Sequence, residues 1–317
     1  MRRLHRAAVL ICVCLLVAAA YALIGLNGRN IAYSLPRRLR IVLAMLVISL
    51  ALGWSAASFQ TITENHILTP SLIGLDSLYL FIQTSVVYCF GARRLTAMNN
   101  VKDFLATVAI MTAAAGILHS VMFRGRRGNI HFLVMAGLVA GQLFRAMASF
   151  MQLRIDPNEF AVAQGRMFAS FNNLNLPLTG VTALCVGAAF IVSFPDRRRL
   201  DVLALGRDQA VGLGVAYPGL VRRQLFAAAV MVSAATALGG PVTFLSVLAV
   251  NAARRWLHTY KHAWMAVGAT VVSLICLLAG QLAVERILNF NVPSNAVINL
   301  VGGVYLLALL LRQGRSA

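Results

Sequence analysis

Long apolar segments separated by short polar ones dominate the pattern along this chain. An α-helix needs about 20 apolar residues to cross a hydrocarbon core of about 30 Å. Two windows of that scale carry a single charge, Asp76 in 65–92 and Arg145 in 128–153. Other windows of similar length carry no charge, and each window of either kind predicts a membrane-spanning helix. The charge-free windows are 7–28, 41–63, 104–123, 167–195, 262–284 and 287–311.

The apolar stretch 224–253 differs from the others in its length. As one helix, its 30 residues would measure about 45 Å, which exceeds a hydrocarbon core of about 30 Å. It also contains Gly239-Gly240-Pro241, a strong helix breaker. We therefore predict two helices here, at about 221–238 and 241–257. The predicted fold is all-α, a single transmembrane domain of residues 1–317 with ten membrane helices.

Composition and charge place most of the chain away from water. Of its 317 residues 60% are hydrophobic and 12% are charged, whereas a soluble domain carries roughly 25% charged residues. The net charge is +19, but the arginines stand in short gaps between apolar segments, which does not favour nucleic-acid binding. With the N-terminus inside, the cytoplasmic segments hold 17 of the 28 lysines and arginines. That distribution follows the positive-inside rule and predicts that both termini are cytoplasmic.

The sequence lacks the residues that several chemistries require. Neither of its two lysines, Lys102 and Lys261, follows a glycine, so no Gly-Lys-Ser/Thr phosphate-binding loop is present. Any ATP hydrolysis must therefore come from another chain. His258 and His262 stand four residues apart, but no third metal ligand is evident, and a solvated loop is the favoured interpretation. No catalytic constellation is present, so we predict a protein without enzymatic chemistry.

The longest predicted cytoplasmic segment, about 196–222, is charged yet contains apolar residues. It is predicted to form one or two short helices at the membrane surface, broken by glycines. Apolar side chains exposed in the cytoplasm need a cover, which is either a groove on a partner or the lipid surface. The apolar residues are Leu203, Leu205, Ala210, Val211 and Leu213, and the glycines are Gly206, Gly212 and Gly214.

Small residues recur at a spacing of four in two predicted helices. One stripe consists of Ser49, Gly53 and Ala57, and the other of Gly137 and Gly141. Residues four apart lie on one face of a helix, and small side chains there let a second helix approach closely. Both stripes therefore predict helix packing.

Several segments, taken in order, resemble the FecCD-type iron–siderophore permeases, the family that includes the vitamin B12 permease. These are Leu35-Pro36-Arg37 and the segments 64–74, 205–214 and 239–245. Finer detail is similar to the branch of permeases for anguibactin, petrobactin and enterobactin-type chelates. The segments that carry this second resemblance are 59–63, 75–79, 156–160, 168–173 and 284–286.

Two positions depart from the wider family. Val250-Asn251 stands where most members have Pro-His, and the asparagine is typical of the branch just named. Ser34 stands where the vitamin B12 permease carries a docking arginine, so such a contact is either missing or moved to Arg38 or Arg40. The resemblance extends from about residue 34 to the C-terminus.

The resemblance implies the permease subunit of an ABC importer that moves a ferric siderophore from the periplasm to the cytoplasm. The implied partners are a second permease chain, usually a different homologous one, two copies of an ABC ATPase, a periplasmic siderophore-binding protein and the lipid bilayer. ATP and magnesium would bind to the ATPase, and no cofactor or metal is expected on this chain. The implied location is the bacterial cytoplasmic (inner) membrane. The binding protein is expected to set most of the choice of siderophore.

The resemblance also implies roles for particular residues. The loop from Glu64 to Pro70 would form the cytoplasmic gate, with Asn65 and Leu68 narrowing the path. Outer arginines would dock the binding protein, whereas anchoring to lipid phosphates and local pairing are the alternatives. The candidates for docking the binding protein are Arg37, Arg38, Arg40 and Arg286. The candidates for coupling to the ATPase are Leu205, Gly206, Asp208, Ala210, Leu213 and Gly214. The candidates for lining the translocation path are Gln60, Asp76, Phe168 and Phe171.

Two alternatives to this function stay open. A stand-alone secondary transporter would need embedded ionisable groups, for which only Asp76 and Arg145 qualify. Asp76 itself is either a structural cap or interhelical bond, or a participant in transport, because a carboxylate inside an apolar window is costly. The other alternative is a permease of the same family for haem or cobalamin.

Overall fold

The structure is a computed structural model, and it describes residues 2–24, 31–91, 93, 100–122, 130–167, 171 and 175–314. Within these ranges every regular element is a helix. A π-helical turn, Ser71–Leu75, leads into α3, and a 3-10 turn, Phe194–Asp196, joins α7 to α8. The α-helices are α1 Arg2–Leu23, α2 Ile31–Ile62, α3 Asp76–Phe90, α4 Val101–Met122, α5 Ile130–Gln152, α6 Pro157–Met167, α7 Leu176–Ser193, α8 Arg197–Leu203, α9 Arg207–Gly212, α10 Tyr217–Gly239, α11 Leu245–Leu257, α12 His262–Arg286 and α13 Ser294–Gly314.

Eight of the described helical stretches are long and apolar enough to cross a membrane. The apolar part of α13, Ser294–Ala308, is shorter, and α11 has only 13 residues. The eight stretches are His5–Leu23, Ile31–Ile62, Ser71–Phe90, Val101–Leu118, Phe132–Gln152, Leu176–Leu203, Tyr217–Gly239 and His262–Arg286.

The break predicted after residue 238 is present. Helix α10 ends at Gly239 and α11 begins at Leu245. Gly240 between them has a φ of 75°, a left-handed conformation that glycine adopts without steric cost.

Two apolar windows are longer than the long helix that each contains. In the window 167–195 the long helix α7 begins at Leu176, and α6, which ends at Met167, was not predicted because its sequence is too polar to form an apolar window. The window 287–311 contains a helix only from Ser294, since Asn289 and Phe290 adopt left-handed backbone conformations that helix interiors exclude.

Helix α2 lies at the centre of the bundle. It packs against α12, α10, α11, α7 and α1, and most of its second half is buried. The bundle's inner end, as we name it, is where α2 ends at Ile62 and α10 and α12 begin; its outer end is where α1 and α12 end. The short helices α8 and α9 lie at the inner end.

Both predicted small-residue stripes mark close helix contacts. A Cβ atom at Gly53 would lie 2.6 Å from the backbone nitrogen of Thr270 on α12. A Cβ atom at Gly141 on α5 would lie 2.7 Å from the Cα atom of Gly74, beside the π-helical turn. Real Cβ atoms do not approach a backbone so closely, so glycine is required for both contacts.

The substitution Gly53→Ala is expected to destabilise the bundle by about 1–3 kcal/mol, the usual cost of inserting a methyl group into a packed interior. The matched control is Gly180→Ala, because no atom lies within 4 Å of a Cβ atom placed there on α7. Alanine favours a helix over glycine by roughly 0.5–1 kcal/mol, so the control should be neutral or stabilising. Thermal unfolding of the two purified variants measures the difference, and equal midpoints would contradict the close contact.

Candidate coupling and gating site

A hydrophobic cluster fixes α8 and α9 to the inner ends of two long helices. Leu200 and Leu203 on α8 and Ala210 on α9 are completely buried. They pack with Ile62 at the end of α2 and with Tyr217 at the start of α10. Apolar area buried in this way stabilises the attachment of the segment to these two helices.

The predicted coupling residues divide into an outward and an inward group. Leu205 and Leu213 are 58% and 66% exposed, and Val211 is exposed beside them. Asp208 is exposed as well. Ala210 has no exposed area, so the expectation that it projects into the cytoplasm is wrong. Its role in the fold is to hold α9 against the bundle.

Two glycines bound the short helix α9. Gly206 precedes it with a φ of 108°, and Gly214 follows it with a φ of 84°. Side chains other than glycine are strained in this region of backbone space. The position of α9 therefore depends on both residues.

A carboxylate ties the loop 63–70 to α9. Oε1 of Glu64 accepts a hydrogen bond of 3.0 Å from the backbone N–H of Arg207, the first residue of α9. The first N–H groups of a helix have no partner within the helix, so an acceptor there stabilises its start. The loop predicted to gate and the segment predicted to couple thus meet directly.

Local hydrogen bonds shape the first turn of the loop. Oδ1 of Asn65 accepts a hydrogen bond of 2.9 Å from the N–H of Ile67. The N–H of Asn65 donates to the carbonyl oxygen of Gln60 at 3.2 Å. Leu68 follows on the same loop and is half-buried. The two predicted gate residues therefore lie three positions apart on the loop that follows α2.

Helix α11 holds the same loop from its other side. Nδ2 of Asn251 donates to the carbonyl oxygen of His66 at 2.8 Å. Nη1 of Arg254 lies 2.7 Å from Nε2 of His66, and its Nη2 donates to Oε1 of Gln60 at 3.3 Å. Partial burial and then the Arg254 guanidinium lower the pKa of His66, so its ring is neutral and can accept this bond.

The roles of Arg254 and Asn251 at the loop were not predicted from the sequence. The one signal was that Asn251 departs from the pattern of the wider family. The contact explains what an asparagine does at this position. Its side-chain amide donates a hydrogen bond that bridges α11 to a carbonyl group of the loop.

Two of the path candidates that the structure describes, Gln60 and Phe171, lie in different surroundings. Gln60 is buried and belongs to the gate region through its bond to Arg254. Phe171 is completely buried in the main hydrophobic core, close to Gly239. Phe168 lies outside the described residues. The structure therefore brings only Gln60 together with the predicted gate.

Asp76 connects the π-helical turn before α3 to the break between α10 and α11. It is 3% exposed and begins α3 immediately after the π-helical turn. Its Oδ2 accepts a hydrogen bond of 2.8 Å from Thr243, in the break between α10 and α11, and its Oδ1 accepts one of 3.3 Å from Thr236. Two hydroxyl donors satisfy this buried carboxylate, which matches the interhelical-bond alternative.

Asp196 organises a second buried polar group at the inner end. Arg223 on α10 donates two hydrogen bonds to its carboxylate, at 2.6 and 2.5 Å. Gln224 donates to the same carboxylate at 3.1 Å and to the carbonyl oxygen of Ser193 at 3.0 Å. Trp54 of α2 donates to Oγ of Ser193 at 2.7 Å. This network links the 3-10 turn before α8 to α10, α7 and α2, and it was not predicted from the sequence.

A third carboxylate links α8 to α12. Oδ1 of Asp201 accepts a hydrogen bond of 2.5 Å from the backbone N–H of His262, the first residue of α12. His262 is completely buried next to Trp54, so its interpretation as part of a solvated loop is wrong. Among the residues that the structure describes, no three His, Cys, Asp or Glu side chains cluster to hold a metal.

The outer arginines have two different environments. The side chain of Arg38 is 13% exposed and forms an ion pair of 2.7 Å with Glu285. It also donates to the carbonyl oxygen of Ile24 at 2.6 Å, and Arg286 donates to the same oxygen at 2.5 Å. Arg37 and Arg40 are exposed. The guanidinium of Arg38 thus ties α1, α2 and α12 together inside the chain.

The all-helical bundle, its membrane-spanning helices and its surface segment α8–α9 define a multi-pass transport permease. The FecCD transport family matches residues 29–312, and the chain belongs to that family. Permeases of this family are transport subunits of ABC importers and not enzymes, as predicted. The ATPase of such an importer is a separate chain.

Individual relatives confirm the branch that the sequence motifs indicate. A petrobactin import system permease protein of Bacillus subtilis (strain 168), YclO, is 42% identical over 96% of this chain and 98% of its own length. The ferric enterobactin permease FepG of Escherichia coli (strain K12) is 29% identical over 88% of this chain and 82% of its own. A solved metal-chelate type ABC transporter in an inward-facing conformation matches with a TM-score of 0.81 at 19% identity, covering 98% and 99% of the two chains.

The substitution Glu64→Leu is expected to loosen α9, because the N–H of Arg207 loses its acceptor. Helix-start acceptors are worth about 1 kcal/mol, so amide hydrogen exchange in 207–212 should become about fivefold faster. Glu64→Gln retains an amide oxygen and should restore most of the protection. Equal exchange in the wild type and in Glu64→Leu would show that this bond does not hold the helix.

Proposed function

We propose that this chain carries a ferric siderophore of the petrobactin type inward across the cytoplasmic membrane, driven by ATP hydrolysis on a partner ATPase that binds ATP and magnesium. The observation that carries the proposal is the 42% identity to a petrobactin permease over almost the entire chain. Its own residues supply no phosphate-binding loop, so energy must reach it through contacts with that partner.

A ten-helix topology fits the directions of the described helices. Helices α11 and α13 add to the eight long stretches and bring the total to ten. Nε1 of Trp256, near the end of α11, donates to the carbonyl oxygen of Arg6 at 3.2 Å, close to the start of α1. Helix α11 therefore returns to the inner end, after which α12 and α13 each run the length of the bundle. Both termini then lie on the cytoplasmic side, as the distribution of basic residues favours.

The exposed apolar side chains of α9 and its flanks would meet the ATPase. An outward apolar group lies on α9 and its flanks, which are otherwise held tightly, and it consists of Leu205, Val211 and Leu213. Apolar groups of this kind are covered in an assembled protein. Two copies of the ATPase would meet two permease chains, this one and a homologous second chain, which together enclose the path.

Displacement of α9 would reach the gate through the Glu64 carboxylate. The loop 63–70 lies between this bond on one side and Asn251 and Arg254 on the other. Movement of α9 relative to α11 must therefore deform the turn that contains Asn65 and Leu68. Packed interfaces change between discrete arrangements, so a small shift at α9 can open or close the path.

The secondary-transporter alternative is less well supported than the ABC importer. It depends on an embedded ionisable group that exchanges its partners during transport. Asp76 instead has two hydroxyl donors from α10 and from the break that follows it. A structural tie of this kind accounts for a carboxylate in an apolar segment without ion coupling.

Uptake of a ferric petrobactin-type chelate by the reconstituted importer is expected to require ATP, and an ion gradient alone should not support it. The variant Leu213→Asp should abolish uptake while the protein stays folded, because a charge replaces an exposed apolar contact. The contrasting variant, Ala210→Asp, should lose folded protein, because its carboxylate would be buried without a partner. Gradient-driven uptake by this chain alone, or normal uptake by Leu213→Asp, would contradict the proposal.

Exposed arginines at the outer end would dock the substrate-binding protein. Changing Arg37 and Arg40 together to glutamate should slow association severalfold, most strongly at low salt, since exposed charges act mainly on encounter. Lys102→Glu is the matched control, an exposed cation at the same end of the bundle. Surface plasmon resonance at two salt concentrations measures the rates. Unchanged rates in the double variant would favour lipid anchoring.

A further inference from the structure

Two cavities adjoin at the first turns of α10. The larger, of about 580 Å³, lies between α3, α4, α5 and α10 towards the inner end. The smaller, of about 550 Å³, lies between α8 and α10 and contains Arg199 and Arg223. Arg222 and Phe226 line both cavities, so these two side chains lie at the boundary between them.

The larger cavity exists because small side chains face one another across it. Ala114 and Ala115 of α4, Ala140 of α5, and Ala228 and Ala229 of α10 line its walls. Packed interiors contain few voids larger than a water molecule, and wall atoms without neighbours lose their dispersion contacts. The cavity is partly open, so its wall atoms gain such contacts from a molecule that enters it.

Water does not suit the larger cavity. An ordered water molecule needs two to four polar partners. Among the residues that line this cavity, only Ser120 and Arg222 have polar side chains, and the Ser120 hydroxyl donates to the carbonyl oxygen of Ile117. The walls are otherwise hydrocarbon, and hydrocarbon is the occupant that they would bind.

The smaller cavity has an excess of positive charge. Arg199 and Arg223 share one carboxylate, that of Asp196, at 3.1 and 2.5 Å. No acidic partner of Arg222 is present among the residues that the structure describes. Three guanidinium groups thus line this cavity while a carboxylate pairs with only two of them, and the planar donors of arginine bind phosphate oxygens in pairs.

We propose that an anionic phospholipid occupies the two cavities together. Its acyl chain fills the apolar cavity, and its phosphate binds Arg222 with Arg199 and Arg223 beside it. The inner ends of α4, α5 and α10 place this basic group where membrane helices meet water, which is where lipid headgroups lie. The proposal needs only that the bundle spans a bilayer, so it stands whichever chelate is transported.

The test compares phosphatidylglycerol with phosphatidylcholine as bound lipid. The full-length protein is titrated with each lipid, and native mass spectrometry counts the lipids that stay bound. Phosphatidylglycerol should bind the wild type, and Arg222→Gln should weaken its binding about fivefold, as expected for one charge near the membrane surface. Arg198→Gln is the matched control, because Arg198 is exposed on α8 and lines neither cavity.

A second variant tests the apolar half without changing charge. Ala140→Phe fills the larger cavity, so it should reduce the bound lipid while the protein keeps or gains thermal stability. Equal binding in the wild type and in both variants would overturn the proposal. Equal stabilisation by inorganic phosphate would also overturn it, because the ligand would then be a free anion. Loss of the lipid when the full importer assembles would overturn it as well, because a partner chain and not a lipid would then cover this face.

Discussion

A bilayer offers no hydrogen-bond partners to the backbone, so every interruption of a membrane helix must be satisfied from within the protein. In this chain carboxylates lie at an interruption and at two helix starts. Asp76 accepts from Thr243 across two breaks, Glu64 accepts from the start of α9, and Asp201 accepts from the start of α12. Each bond therefore joins the end of one element to another element, and the inner half of the bundle is held at a few defined points.

The same constraint separates the parts that can move from those that cannot. Around Gly53, backbone meets backbone across α2 and α12, and no side chain can yield there. The loop 63–70 is held by single hydrogen bonds that involve Glu64, Asn251 and Arg254, and most of these bonds are exposed to water. Hydrogen bonds that are open to water break at little net cost. Motion driven from α9 should therefore be absorbed by this loop, while α2 moves as a rigid rod.

The sequence predicted the features that depend on local composition. Apolar windows located the long helices, and Gly239-Gly240-Pro241 located the break, because both depend on residues adjacent in the chain. The site was predicted as segments, but not as contacts. Ala210 on α9 and Leu213 directly after it are both apolar, and the packing of Ala210 with Leu200 and Tyr217 decides which of the two is buried. The bonds of Asp196 join residues about 30 positions apart, which no local pattern reveals.

Arg38 shows how a charge pattern can have a cause other than the expected one. Positive charge is disfavoured on the outer side, so its arginines predicted an external acidic partner. For Arg38 the acidic partner is instead a residue of this chain, because Glu285 forms an ion pair with it. The carbonyl groups at the end of α1 also accept from Arg38 and Arg286, and the C-terminal end of a helix carries partial negative charge that favours cations. Two of the docking candidates thus satisfy a helix end that would otherwise lack donors, and a docking surface has to be built chiefly from the arginines on the exposed face, Arg37 and Arg40.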